Sequence, residues 1–228
     1  MRRFPAWLAA AAILLAATAC GDGSTGAAPT PTVTVPPKPL KQATPAQLKA
    51  ALPTLADLPK GWGPNKVDSS SDDDLIQGCP AFDDAEPEAP EAEADFLHPS
   101  AQLFSVLAHS HKSVAEAGVL VDSLRVMLRE CPSFRSKDPS GTVTRFSLSV
   151  VSPPKVGDAA FALALDVIDP EFRGTLNLVA VRIRNHTLLL LGGRVGKAAD
   201  GGAEMDPKLF EQLARLTVAK AQRVLPKA

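Results

Sequence analysis

Histidines are the first residues in this 228-residue chain whose spacing could do chemistry. His109 and His111 stand two apart, so on a strand their rings point to the same side, the spacing of an H-x-H metal pair. A third ligand would be needed, and His98 or a nearby acid could supply it. The pair also falls where strand-like sequence gives way to a helix cap, an ordinary place for exposed polar residues, and no metal is expected. Ser152-Pro153-Pro154-Lys155 has the letters of an S-x-x-K nucleophile. Prolines between strands are a poor setting for it, and neither S-D-N nor K-T-G accompanies it. No G-x-S-x-G occurs, and Gly192-Gly193-Arg194-Val195-Gly196 lacks the order and the immediate helix of a dinucleotide site. The chain is therefore read as a non-enzyme without a cofactor. Alternation puts Arg182, Arg184 and His186 on one side of a strand, with Arg194 across a hairpin and Arg145 on the same polar face. Arg145, Arg182, Arg184 and Arg194 make a candidate patch for an anionic group such as a wall polymer or a lipid phosphate. A solvated sheet face is the plainer reading of the same residues.

Charge is distributed unevenly. Between Val67 and His111 there are eleven acids and no Lys or Arg, whereas from Lys112 onward there are 17 basic and 12 acidic residues. The acidic stretch lacks the D-x-[DN]-x-[DN]-G spacing of a calcium loop, so it reads as a solvated, Pro-interrupted loop. No basic run with interleaved aromatics is present, which argues against a nucleic-acid partner.

The N-terminal stretch carries an address. Arg2 and Arg3 open it, an apolar run of 14 residues from Ala6 to Ala19 follows, and small residues lead into Cys20. That is the charged, apolar and cleavage pattern of a signal peptide. Such a run makes roughly 21 Å of helix, short of the ~20 residues that a membrane span requires. Ala17-Thr18-Ala19-Cys20 resembles the lipobox of bacterial lipoproteins, with Ala17 where leucine is usual. The resemblance implies that Cys20 is lipidated and anchors the chain in the cell membrane on its extracytoplasmic face. Residues 1–19 are then a signal peptide, and 20–43 the lipidated cysteine with a Pro/Thr/Gly-rich tether. Residues 44–228 form a single extracytoplasmic domain with an acidic loop at 68–95. With Cys20 lipidated, Cys79 and Cys131 are left as an even pair, and an exported pair oxidises. Their loop of about 53 residues would be worth roughly 4 kcal/mol in the chain-entropy model. The bridge would bring Asp83 and Asp84 near Arg135 and Lys137, so the acidic loop is expected to dock on that basic segment.

Elements that could position these residues follow from periodicity. Thr44-Pro45-Ala46-Gln47 combines an N-cap, a proline at the first helical position and a capping-box glutamine, predicting a short helix through Leu52. Trp62, in the turn-rich Leu58–Gly63, is expected to plug the core over the sheet edge. Gln102–Ser110 reads as a strand, and Ser113 caps a helix to Glu130 with Ala117, Leu120, Val121, Leu124 and Leu128 on one stripe. Four strands follow: Thr142–Val151, Ala159–Ile168, Thr175–Arg184 and Thr187–Val195, the last two a hairpin. Asp206-Pro207 opens a final helix with Phe210, Leu213, Thr217, Ala221 and Val224 inward. The expected class is α+β: an antiparallel sheet of about five strands with two long helices packed on one face, preceded by a short N-terminal helix.

This order of parts resembles a known group. The lipobox, the tether, the Leu58-Pro59-Lys60-Gly61-Trp62 turn, the two Cys-Pro strings, Val156-Gly157-Asp158-Ala159-Ala160 and the Val181–Asn185 hairpin arm look like exported lipoproteins of high-GC Gram-positive bacteria. They are similar, more distantly, to the extracellular sensor domain of PknH-type receptor kinases and its lipoprotein relatives. The resemblance implies an antiparallel sheet with helices along one face and a ligand-binding cleft. Those kinase-sensor relatives generally carry two disulfides and this chain has residues for one, so no binding residues are transferred. The implied function is a surface-anchored, non-enzymatic ligand-binding or sensor-accessory module, whose partner is a small molecule, a wall polymer or a membrane protein. An interaction lipoprotein docking an envelope partner is the second reading, and an envelope hydrolase the third.

Overall fold

Alternating and continuous apolar runs set the architecture of the computed structural model, which describes residues 40–65, 79, 89–137, 141–198 and 205–226. Cys20, the expected signal peptide and most of the acidic segment lie outside the described residues. Strands β1 (Gly63–Pro64), β2 (Glu91–His98), β3 (Gln102–Ser110), β4 (Ser133–Lys137), β5 (Val143–Val150), β6 (Ala159–Ile168), β7 (Phe172–Ile183) and β8 (His186–Lys197) form one sheet. Its order is β1-β2-β3-β8-β7-β6-β5-β4, and every neighbouring pair is antiparallel. Helices α1 (Pro45–Ala51), α2 (Val114–Glu130) and α3 (Pro207–Val224) complete the described fold, with a 3₁₀ turn at Leu55–Asp57. The class is α+β as expected, but the sheet has eight strands among the described residues rather than about five.

The extra strands have a physical origin. In β2 the acids Glu91, Glu93 and Asp95 alternate with Ala92, Ala94 and Phe96, which pack into the core. Part of the expected acidic loop is therefore the polar half of a period-two strand. β4 follows Cys131-Pro132 and pairs with β5, stacking Phe134 on Phe146 with ring centroids 4.8 Å apart.

The two long helices do not share a face. In β7, Val179, Val181 and Ile183 join a core with α1 and α3, while the intervening Leu178 and Ala180 join a second core with α2. Successive strand residues point to opposite sides, so this split places α2 against one face and α1 with α3 against the other. Strands β6 and β8 are divided in the same way, Ala162, Leu188 and Leu190 against Leu163, Leu165 and Val167. Apolar runs such as Leu188-Leu189-Leu190-Leu191 supply side chains to both faces, and both need cover.

Local signals end the helices where expected. The Thr44 box closes in both directions, with the Gln47 amide donating to Thr44 Oγ1 and the Thr44 amide to Gln47 Oε1. Ser113 caps α2 by accepting from the Glu116 amide at 3.1 Å, and Glu116 accepts from the Lys112 amide. α2 buries Ala117, Leu120, Val121 and Leu124, with Met127 completing the stripe and Leu128 half-buried. α3 buries Phe210, Leu213, Thr217 and Ala221, but Val224 at its end is 37% exposed.

Ahead of α1, residues 40–43 lie across one end of the sheet. The Leu40 amide donates to Lys112 O, the Ala43 amide to Ser110 Oγ at 2.7 Å, and the Asn185 side chain to Lys41 O. Cys79 and Cys131 are disulfide-bonded, their Cα atoms 5.8 Å apart, and both are buried beneath the end of α2. The bridge spans a sequence separation of 52, so its loss releases about 4 kcal/mol of chain entropy to the unfolded state. A Cys79→Ala/Cys131→Ala protein should melt roughly 8–16 °C lower by differential scanning calorimetry. A shift under about 2 °C would show that the bridge adds no net stability.

Candidate functional site

Helix α3 packs on α1 and β8, and between its first turns and the sheet lies an open cleft. The cleft holds about 690 Å³, within the usual range for small-molecule sites. Ala162 and Ala164 of β6 keep its floor low, and Asn177 and Val179 of β7 continue that floor. Met205 and Phe210 form one wall, and the Val151–Lys155 loop forms the other. Phe210 can lie close over the sheet because Gly192 is beneath it; a Cβ there would collide with the ring.

Polar groups around this apolar space differ in how they are engaged. Glu211 Oε1 accepts from Arg215 Nη2 at 2.6 Å and Nε at 3.0 Å, so that pair satisfies itself. Thr175 Oγ1 donates to Asp166 Oδ1 at 2.7 Å. The Asn177 amide and the Lys155 ammonium, both lining the cleft, have no side-chain partner among the described residues. Ser152 and Lys155 both line the rim, but no hydrogen bond joins them. The arrangement offers apolar contact, one amide and one cation.

The four arginines of the candidate anion patch are not brought together. Arg182 Nη1 lies 3.8 Å from Asp158 Oδ2 and donates to Arg184 O. Arg184 occupies the β7–β8 turn with φ 56°, and its guanidinium donates to Leu225 O at the end of α3. Arg194 pairs with Thr175 toward the other end of β8, eight residues or about 27 Å from His186 at the turn. Arg145 sits on β5, opposite Arg135 and Ile168. Alternation along one strand gives a side, but it does not say which strands become neighbours.

His109 and His111 do share a side, with ring centroids 6.2 Å apart, but both are buried rather than exposed. His111 Nε2 bonds Thr187 Oγ1 at 2.9 Å, and His109 Nδ1 lies 3.9 Å from Glu91 Oε2. His98 cannot join them: it ends β2 at the opposite end from Glu91, bonds Ser100, and rests against the Trp62 ring. No group of three or more His, Cys, Asp or Glu able to hold a metal occurs among the described residues. Trp62 is half-buried and packs edge-on against Phe104, over the edge of the core. The expected docking of the acidic segment loses its last part. Glu91, Glu93 and Asp95 belong to β2, near one edge of the sheet, and Arg135 and Lys137 to β4 at the other. Asp83 and Asp84 lie outside the described residues.

The rim residues Ser152 to Lys155 stand out in the sequence only as S-x-x-K letters, and the floor of the cleft is not legible there because small and apolar side chains carry no motif. The usable signal was Asn177, a lone amide within the apolar run Leu176–Val181.

Burial sets the histidine titrations. Desolvation lowers all three buried rings, His109, His111 and His186, and takes His186 to about 4. His186 Nδ1 bonds Ser110 Oγ, the same atom that accepts from the Ala43 amide, so its neutral form holds the strap of residues 40–43. With folded values below the unfolded value of about 6.5, this stability is complete above that pH and is lost as pH falls toward 4. Melting temperature should accordingly drop between pH 7.5 and pH 5, and His186→Gln should flatten the drop. An unchanged melt across that window would refute the assignment.

No family model matches the chain, and no curated protein is significantly similar to it. Among solved structures it is similar to the extracellular domain of PknH from Mycobacterium tuberculosis, with a TM-score of 0.54 and 10% identity over 80% of this chain and 98% of that one. A weaker likeness is to an uncharacterized protein of Mycobacterium smegmatis (Rv0999 ortholog), with a TM-score of 0.40, 14% identity, and 72% and 78% of the two chains covered. An antiparallel sheet with helices packed against it is thus a fold this chain shares with the extracellular domain of PknH.

Proposed function

We propose that the protein is a surface-anchored lipoprotein whose domain works outside the cytoplasm as a non-enzymatic ligand-binding or sensor-accessory module. The cleft of about 690 Å³ beside α3 carries this reading. It is pre-formed and mainly apolar, with the Asn177 amide and Lys155 ammonium unengaged, which suits recognition of a small amphiphilic molecule. Of its hydroxyls, Ser152 is joined to no base, and Thr175 is joined only to the Asp166 carboxylate, without the histidine or lysine base of an acyl-transfer site. The shared fold with a domain described as extracellular supports the compartment. The anchor rests on Cys20 and the apolar run before it.

Two experiments test the two halves separately. Native mass spectrometry of the full chain, purified from its own membrane in neutral detergent, should show a retained small molecule. Ala164→Trp, which fills the floor of the cleft, should lose that mass while keeping its circular dichroism spectrum; equal retention would exclude the cleft. Cys20→Ala should leave the membrane fraction, and a variant that stays there would overturn the lipid anchor.

A further inference from the structure

A line of arginines crosses the sheet away from α3. Arg135 of β4 is paired with Arg145 of β5, Arg145 with Ile168 of β6, and Ile168 with Arg173 of β7. Directly paired residues point to the same face, so the three guanidinium groups rise from one row. It is the face of the cleft, because Ala164 on the cleft floor and Ile168 stand four residues apart on β6 and so point the same way. With strands ~4.8 Å apart, Arg135 and Arg145 are immediate neighbours, Arg173 lies about 10 Å from Arg145, and the row spans roughly 14 Å. All three side chains are exposed, and none has a hydrogen-bond or ion-pair partner among the described residues. The neighbouring acids are used elsewhere: Asp166 accepts from Thr175, and Asp169 from Thr144 and the Glu171 amide. Glu171, in the turn before Arg173, makes no ion pair with it.

Like charges directly opposite one another destabilise a sheet, and here nothing described offsets them. Between Arg135 and Arg145 the surface sinks into a groove of about 310 Å³ whose lining includes Ser133, Ser147 and Ile168. Two guanidinium forks and two hydroxyls offer more donors than the two oxygens of a carboxylate can accept, whereas a phosphate group presents more oxygens. Spacing in a line favours an extended chain over a single ion. Phe134 and Phe146 also line the groove, but they stack on each other with centroids 4.8 Å apart and pack into the α2 core, so no free ring face is offered for base stacking. We infer that Arg135, Arg145 and Arg173 form a binding track for an extended phosphate-bearing polymer.

The track uses none of the cleft's lining residues, so its fate is separable from that of the cleft. Inorganic polyphosphate is the probe, measured against the full chain in neutral detergent by fluorescence anisotropy. Wild type should bind, with affinity falling as salt rises. Arg135→Gln/Arg145→Gln/Arg173→Gln should bind at least tenfold more weakly, with a shallower salt dependence and a melting temperature no lower than that of wild type. Arg129→Gln/Arg223→Gln, on two helices, and Ala164→Trp, in the cleft, should bind as wild type does. Failure of wild type to bind, or equal loss in the helix variant, would overturn the track. So would equal affinity for polyglutamate, or binding confined to phosphatidylglycerol vesicles. Polyphosphate binding that appears only after the acids of residues 72–88 are changed to amides would also overturn it, by showing that the chain's own acidic segment occupies the row.

Discussion

Burial of β6, β7 and β8 on both faces is the constraint on which the rest of the structure depends. Each of these strands divides its side chains between two cores, one closed by α2 and the other by α1 and α3. Removing either layer would expose a sheet face rich in Leu, Val and Ala. At about 25 cal/mol per Å² of apolar surface, neither layer is dispensable to a marginally stable domain. The order of strands follows from the same need. α2 carries the chain from β3 to the far edge, and β4 to β8 return as a meander until β8 meets β3. The most apolar strands thereby end in the centre.

The cleft is a by-product of incomplete cover. An 18-residue helix is about 27 Å long, and α3 spends it on β8 and on α1. The uncovered face of β5 to β7 keeps small side chains near α3 and charged ones farther out. An apolar recess and an arginine row thus arise on one surface from one cause. The two differ in what completes them: the recess lacks apolar contact, and the row lacks negative charge.

Residues 40–43 and the disulfide tie down opposite needs. The strap is held by hydrogen bonds to Ser110, Lys112 and Asn185, two of them to Ser110 from Gln42 and Ala43, with a neutral His186 behind Ser110. The bridge joins residue 79 to the end of α2, at the point where the crossover reaches the far edge of the sheet. Lys220 on α3 reaches Asp57 at 2.7 Å and holds its carboxyl down at about 2, fastening the 3₁₀ turn to the same helix layer.

The sequence by itself determined the elements whose signals are local. The Thr44 and Ser113 caps, the stripe of α2, the hairpin near Asn185 and the cysteine pair are legible because they depend on residues a few positions apart, or on parity of count. Strand β2 was obscured because Glu91, Glu93 and Asp95 read as a charge run, although Ala92, Ala94 and Phe96 carry a period of two. Tertiary structure alone decided which helix covers which face, which strands are neighbours, and therefore what Arg145 stands beside. Alternation fixes the side of a residue only within its own strand. Register and strand order come from satisfying both cores at once, and they separated Arg145 from Arg182 and Arg184 while setting it against Arg135 and near Arg173.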